Sequence, residues 1–154
     1  MKGNKLRWAD IADAHEIAKL ELKSAVFEKR VYPIDIPVND FTKIWQERLK
    51  SGEYKTIVCE YKGKIAGFLS FEHAIKKGDV CCLYIHPKYF RQGIGKKLMR
   101  AAAFLVRLEK GKALTVDVEM FNFGAQTFYQ SLHFKSQSVK LKHLIVMVKE
   151  LSSC

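Results

Sequence analysis

The sequence predicts an α/β chain of the α+β kind, read as one domain running from Met1 to Cys154. It predicts a mixed central sheet of six to seven strands flanked by about four helices. Three observations predict it. The length of 154 residues and a hydrophobic share of 48% suit a single buried core. Strand-like runs follow one another through short turns in the first half, as in antiparallel hairpins. In the second half a strand-like run, a long amphipathic pattern and another strand-like run require a parallel crossover.

The elements follow in order. Lys5-Leu6-Arg7-Trp8 reads as a first strand. Asp10 is placed to cap a helix, with Ile11, Ala14, Ile17, Ala18, Leu22 and Ala25 at helical spacing. Pro33 and Pro37 end that pattern, because proline lacks the amide donor and clashes with the preceding turn. Asn39 or Asp40 caps a second helix carrying Phe41, Ile44, Trp45, Arg48 and Leu49 on one side, and Ser51-Gly52 stops it. Thr56 to Tyr61 and Ile65 to His73 form a hairpin around Lys62-Gly63-Lys64. Lys76-Lys77-Gly78-Asp79 turns the chain into the strand Val80 to Ile85. A helix from Gly93 to Lys110 turns Ile94, Leu98, Ala102, Leu105 and Leu108 inward, and Gly111 ends it. The strand Ala113 to Glu119, a short helix from Gly124 or Ala125 to Ser131, and a last strand Val139 to Lys149 complete the order.

The segment joining strand to helix, Pro87 to Met99, carries the most chemistry. It holds Arg91-Gln92-Gly93-Ile94-Gly95-Lys96 at a helix start. Helix N-termini present amide groups without intrahelical partners and the positive end of the macrodipole. Glycine lets that backbone approach a ligand closely. The segment therefore reads as an anion cradle, best suited to phosphate. It is not a dinucleotide fingerprint, because Leu98 stands where a third glycine is needed. Nor is it a P-loop, because one residue separates Gly93 from Gly95 and no Ser or Thr follows Lys96.

A second segment points the same way. The strand Leu114 to Glu119 leads into Asn122-Phe123-Gly124-Ala125, a short helix through Phe128-Tyr129, and then His133-Phe134. With the Arg-Gln-Gly-Ile-Gly loop one helix earlier, this order resembles the GNAT superfamily of N-acetyltransferases from about Lys5 to Lys149. The resemblance implies a parallel strand pair that splays to hold coenzyme A, with acetyl-CoA as acyl donor and no metal. It implies that the backbone around Leu83, Tyr84 and Ile85 pairs with the pantetheine arm. Arg91, Gln92, Gly93, Ile94, Gly95 and Lys96 would hold the pyrophosphate. Phe128 would sit beside the cofactor, and Asn122 would bond the pantetheine arm, cap the short helix, or both.

The same resemblance places Tyr129 as the general acid. A phenol with an ordinary pKa of about 10 suits protonation of a departing thiolate. The acceptor ammonium must first lose a proton, and relatives use a carboxylate on a central strand. Asp117 and Glu119 share one face of their strand, because side chains alternate; they rank ahead of Glu72. His86 is a further titratable group beside the loop. Tyr32, Ile34, Asp35 and Ile36 fall where the family builds acceptor walls. Two positions depart from the family pattern. Phe90 replaces the usual Gln or Arg three residues before the first loop glycine, and His133 replaces the glycine before Phe134.

Composition bounds the alternatives. No apolar run reaches membrane-spanning length and no signal-peptide core follows the charged start, so the expected compartment is the cytoplasm. Cys59, Cys81, Cys82 and Cys154 form no Cys-x-x-Cys pair and read as reduced core or terminal thiols. The net charge of +11 attracts acidic partners, but no block of five or six basic residues marks a nucleic-acid surface. The expected activity is acetyl transfer to a primary amine: a small amine, an amino acid, or a protein N-terminus or lysine. A non-catalytic acyl-CoA sensor and a basic ribosome- or RNA-associated module are the alternatives. The chain is expected to be a monomer or homodimer.

Overall fold

The computed structural model describes residues 3–27, 36–74, 76–141 and 143–152, with only the backbone at 25–27. Among them, seven strands are β1 (Asn4–Trp8), β2 (Lys55–Tyr61), β3 (Lys64–Ala74), β4 (Lys77–Ile85), β5 (Ala113–Glu119), β6 (Lys135–Lys140) and β7 (Leu144–Glu150). Four helices are α1 (Ala14–Phe27), α2 (Val38–Ser51), α3 (Ile94–Leu108) and α4 (Phe123–Ser131). The strands join in one sheet in the order β1-β2-β3-β4-β5-β7-β6. This is the mixed α/β class that the sequence predicts. The chain divides into two compact units, Met1–Ser70 with Cys82–Met99, and Phe71–Cys81 with Arg100–Cys154.

In the first unit, Asp10 caps as expected, but what it caps is a one-turn 3-10 helix, Ile11–Asp13. Its carboxylate accepts from Ala12 N–H at 2.9 Å, and Asp13 accepts from Asp10 N–H at 2.8 Å, a reciprocal capping box. Ile11 is therefore exposed instead of facing the core. Ala14, Ile17, Ala18 and Leu20 of α1 pack with Phe41 and Trp45 of α2 and with Val58, Ile65 and Phe68 of the sheet. Trp45 meets Phe68 edge-on at 5.3 Å, a geometry worth about 1 kcal/mol beyond its buried area.

Helix α2 corrects two expectations. It begins after Pro37, with no side-chain cap, so neither Asn39 nor Asp40 caps it. Ile44 is 40% exposed, because Phe41 and Trp45 already fill the inward stripe. Arg48 instead covers Trp45, its guanidinium 4.9 Å from the ring centroid. Gly52, in the left-handed region at φ 71°, ends the helix. The β2–β3 turn has positive φ at both Lys62 and Gly63, which matches the twist of a two-residue hairpin. β3 is buried along most of its length, as a central strand is.

In the second unit, β4 starts at Lys77, so the expected turn Lys76 to Asp79 is tighter than the glycine suggested. Lys76 takes the left-handed conformation. Gly78 lies inside the strand because a Cβ there would meet Val106 Cγ2 at 2.5 Å. A similar swap ends α3. Lys110 is the left-handed residue at φ 62°, and Gly111 donates to the Val106 carbonyl at 2.8 Å. The predicted inward stripe drifts as well: Val106 is buried and Leu108 is 58% exposed. The parallel ladder of β4 and β5 runs from Lys77↔Ala113 to Val80↔Val116.

The single last strand expected at Val139 to Lys149 is two strands. β6 and β7 form an antiparallel hairpin, with Leu141 left-handed at its turn, and β7 pairs with β5 over Ala113↔Glu150 to Glu119↔Leu144. Lys135 to Lys140 is exposed throughout and mostly polar, so no apolar alternation betrays it. Its lysines and a register shift between Ser136 and Ser138 suit an edge that must not pair further. Cys59 is buried and free, whereas Cys81 is exposed, which corrects its reading as a core thiol. Cys154 lies outside the described residues.

Candidate functional site

The loop is built by β4, a short turn and α3. β4 ends at Ile85, and His86 N–H donates to the Ala66 carbonyl at 2.8 Å. Backbone direction alternates along an antiparallel strand, so Leu83 and Ile85 turn their N–H and C=O away from β3. Tyr84 spends its side chain on packing, 5.5 Å from Phe68. His86 then caps the 3-10 turn Pro87–Tyr89, its Nδ1 accepting from Lys88 N–H at 3.1 Å. The sequence marks His86 as a titratable group beside the loop; its capping role is signalled by Pro87 at the first turn position.

Phe90 is extended at φ −59°, ψ 148°, Arg91 is left-handed at φ 62°, and Gly93 is left-handed at φ 78°. Left-handed residues in such turns are a common element of anion-binding concavities. A Cβ on Gly93 would meet no atom within 4 Å, so conformation, not crowding, calls for glycine here. Helix α3 begins at Ile94, one residue later than expected. Its first bond runs from Lys97 N–H to the Gly93 carbonyl at 3.0 Å. The N–H groups of Ile94, Gly95 and Lys96 have no partner inside the helix. Ile94 is buried and anchors the turn, while Arg91, Gln92 and Lys96 are exposed. No Asp or Glu occurs between Asp79 and Glu109, so the loop's own segment carries only positive charge. The cradle fits a diphosphate.

The second unit holds the other named residues. Asn122 caps α4, its Oδ1 accepting from Ala125 N–H at 3.0 Å, so the capping role is realised. Gln126 Nε2 donates to the Met120 carbonyl at 2.8 Å and fixes the same corner. Tyr129 is 8% exposed and lies between two rings, Phe128 at 5.2 Å and Phe134 at 5.4 Å. His133, left-handed at φ 71°, makes the turn that glycine usually makes, and Phe134 N–H donates to the Tyr129 carbonyl at 3.0 Å.

The two carboxylates of β5 differ. Asp117 is paired with Lys140 at 3.2 Å. Glu119 has no such ion pair among the described residues, and its backbone carbonyl accepts from Asn122 N–H at 3.0 Å. Glu72 groups with Asp79 and Cys81, their ligand atoms within 4.8 Å of one another. Asp79 is already held by the Thr115 hydroxyl, which donates to it at 2.8 Å. Tyr32, Ile34 and Asp35 lie outside the described residues, and Ile36 is exposed. No helix among the described residues is long and apolar enough to cross a membrane.

The family model described as Acetyltransferase (GNAT) family matches residues 15–134. A Bacillus subtilis (strain 168) protein carrying the name ribosomal protein bS18-alanine N-acetyltransferase is 24% identical over 131 residues, 79% of this chain and 87% of its own length. The structure of a PaiA N-acetyltransferase from Thermoplasma acidophilum in complex with coenzyme A superposes with a TM-score of 0.82 at 18% identity, covering 96% of this chain and 98% of that one. The ribosomal-protein-S18-alanine N-acetyltransferase of Escherichia coli superposes with a TM-score of 0.71 at 18% identity, covering 98% and 96%.

Proposed function

The chain belongs to the Acetyltransferase (GNAT) family, and on that premise we propose that it moves an acetyl group from acetyl-CoA to a primary amine. The observation that carries the proposal is the left-handed pair Arg91 and Gly93 ahead of the open amide groups of α3. A pyrophosphate suits that arrangement because several N–H donors and the helix dipole converge on one anion. Arg91 and Lys96 add charge to it, and the exposed Phe90 adds none. The backbone at Leu83 and Ile85, turned away from β3, extends to the pantetheine arm as an added strand edge would.

The chemistry has three demands. The amine must be neutral when it attacks, so a base must take a proton from its ammonium form. Glu119 is assigned that role ahead of Asp117, whose carboxylate is engaged by Lys140. The amine nitrogen then bonds to the thioester carbonyl carbon and gives up its remaining extra proton to solvent, and the carbon–sulfur bond breaks as the tetrahedral adduct collapses to the amide. Tyr129 gives its phenolic proton to the leaving thiolate and recovers one from solvent. Its ring packs against Phe128 and Phe134, which restricts the positions open to the phenol. The whole chain is read as one catalytic domain acting in the cytoplasm.

Two relatives are named for acetylating the alanine of a ribosomal protein. A peptide with an N-terminal alanine therefore leads the acceptor panel, followed by lysine peptides, free amino acids and small amines. The test is release of free thiol from acetyl-CoA with each acceptor. The proposal expects turnover with at least one of them. Protection against unfolding by coenzyme A with no turnover on any amine would favour a sensor.

A further inference from the structure

The first unit contains a concavity of about 600 Å³ on the α1 side of β3. Four lysines line it: Lys19 and Lys23 from α1, Lys64 from the start of β3, and Lys88 from the turn before the loop. No sequence motif joins them. They come from three separate stretches, which is why the basic residues looked dispersed along the chain.

Among the described residues the walls carry these four lysines against one carboxylate, Glu16, whose Oε1 accepts the Ile65 N–H at 2.8 Å. Among the described residues no carboxylate forms an ion pair with any of the four lysines. Lys23 Nζ instead lies 3.3 Å from His86 Nε2. Burial first, then Lys23 and Lys88, hold His86 below the usual imidazole range. His15 contributes no counter-charge and bonds the Thr42 hydroxyl at 3.2 Å. Like charges left together raise the free energy of the unliganded protein.

The remaining walls are not polar. Leu20 and Ile65 line the concavity, and Tyr89 presents a ring braced edge-on by Tyr61 at 5.7 Å. Ammonium groups are compact, strongly hydrated point charges and suit phosphate; forked carboxylate recognition favours arginine, and no arginine among the described residues lines this space. The volume is that of a small-molecule site and exceeds one phosphate ion.

We propose that this concavity binds a phosphorylated small molecule, its phosphate held by Lys19, Lys23, Lys64 and Lys88 and its body against Leu20, Ile65 and Tyr89. None of Arg91–Lys96 lines the concavity, and the proposal does not depend on the acetyl-transfer reading.

The experiment titrates the full chain, with the loop saturated by coenzyme A, against inorganic phosphate, a sugar phosphate, a nucleoside 5′-monophosphate and the unphosphorylated nucleoside. Binding is read by calorimetry, and the same samples are labelled with a lysine-acylating reagent and mapped by mass spectrometry. At least one phosphate ester should bind, the unphosphorylated nucleoside should not, and labelling at Lys19, Lys23, Lys64 and Lys88 should fall severalfold. The double variant Lys19→Gln/Lys23→Gln should weaken ester binding about tenfold or more and leave coenzyme A binding unchanged. Tighter binding of inorganic phosphate than of any ester would overturn the assigned apolar half of the site. No binding by any phosphate, or protection confined to Lys96 and Lys97, would overturn the proposal altogether.

Discussion

Arg7 grips Asp13 with both ends of its guanidinium, Nη1 to Oδ2 at 2.8 Å and Nη2 to Oδ1 at 2.9 Å, while its Nε donates to Glu60 at 2.7 Å. One side chain thus ties β1 to the turn before α1 and to β2. The Arg7 hydrogen bonds hold the Asp13 carboxyl below the usual carboxylate range, against the opposing effect of burial. The folded form therefore binds a proton at Asp13 less readily than the unfolded chain does. That stabilisation is complete above about pH 4, the ordinary carboxylate range, and is lost as pH falls through the lower folded value. Asp13→Asn should cost about 2 kcal/mol at neutral pH, the range for hydrogen bonds to charged groups. Thermal unfolding from pH 2 to 7 should show a shallower acid slope in the variant than in the wild type.

Gly93 holds φ 78° in open space. Gly93→Val should cost about 1–2 kcal/mol, the penalty for an L side chain in that region. Because the strain falls on the loop backbone, coenzyme A affinity should drop tenfold or more, measured by calorimetry, even where the variant stays folded. An equal loss of stability with unchanged affinity would separate the loop from cofactor binding.

Asn122 caps α4 and is also assigned to the pantetheine arm. Asn122→Ala removes both roles; Asn122→Ser keeps a capping oxygen and shortens the side chain. The alanine variant should lose about 1 kcal/mol in chemical denaturation. The serine variant should recover most of that stability. If it still shows a raised KM for acetyl-CoA, the amide serves the cofactor as well as the helix.

Much of the fold was legible because strong local signals agreed with the tertiary result. Ala113 to Glu119 was read to its bounds from β-branched alternation. Asp10 was read as a cap because its side chain satisfies amides locally. The misreadings occurred where distant packing decided. Gly78 and Gly111 looked like turn residues, but each is shaped by Val106, a partner that local sequence does not reveal. β6 was missed because an exposed polar edge strand carries no apolar period.

The glycine turn and helix start at Arg91 to Lys96 were legible for a different reason. Glycine and helix geometry set them, and short motifs encode both. His133 was likewise visible as a residue in a glycine position, and it does adopt φ 71°. The lysine-lined concavity was not legible, since its residues come from stretches without a shared motif. The difference between Asp117 and Glu119 also needed the fold, because Lys140 reaches Asp117 only through the β6–β7 hairpin.

The central claim is that Tyr129 supplies the proton to the leaving thiolate. The most direct measurement compares thiol release from acetyl-CoA by the wild type and Tyr129→Phe, at saturating acceptor, alongside coenzyme A affinity. The phenylalanine ring keeps the contacts with Phe128 and Phe134 and removes only the hydroxyl. General acid catalysis predicts a kcat lower by about a hundredfold or more, with coenzyme A affinity within about twofold of wild type. An unchanged kcat in a variant that still binds coenzyme A would contradict the assignment.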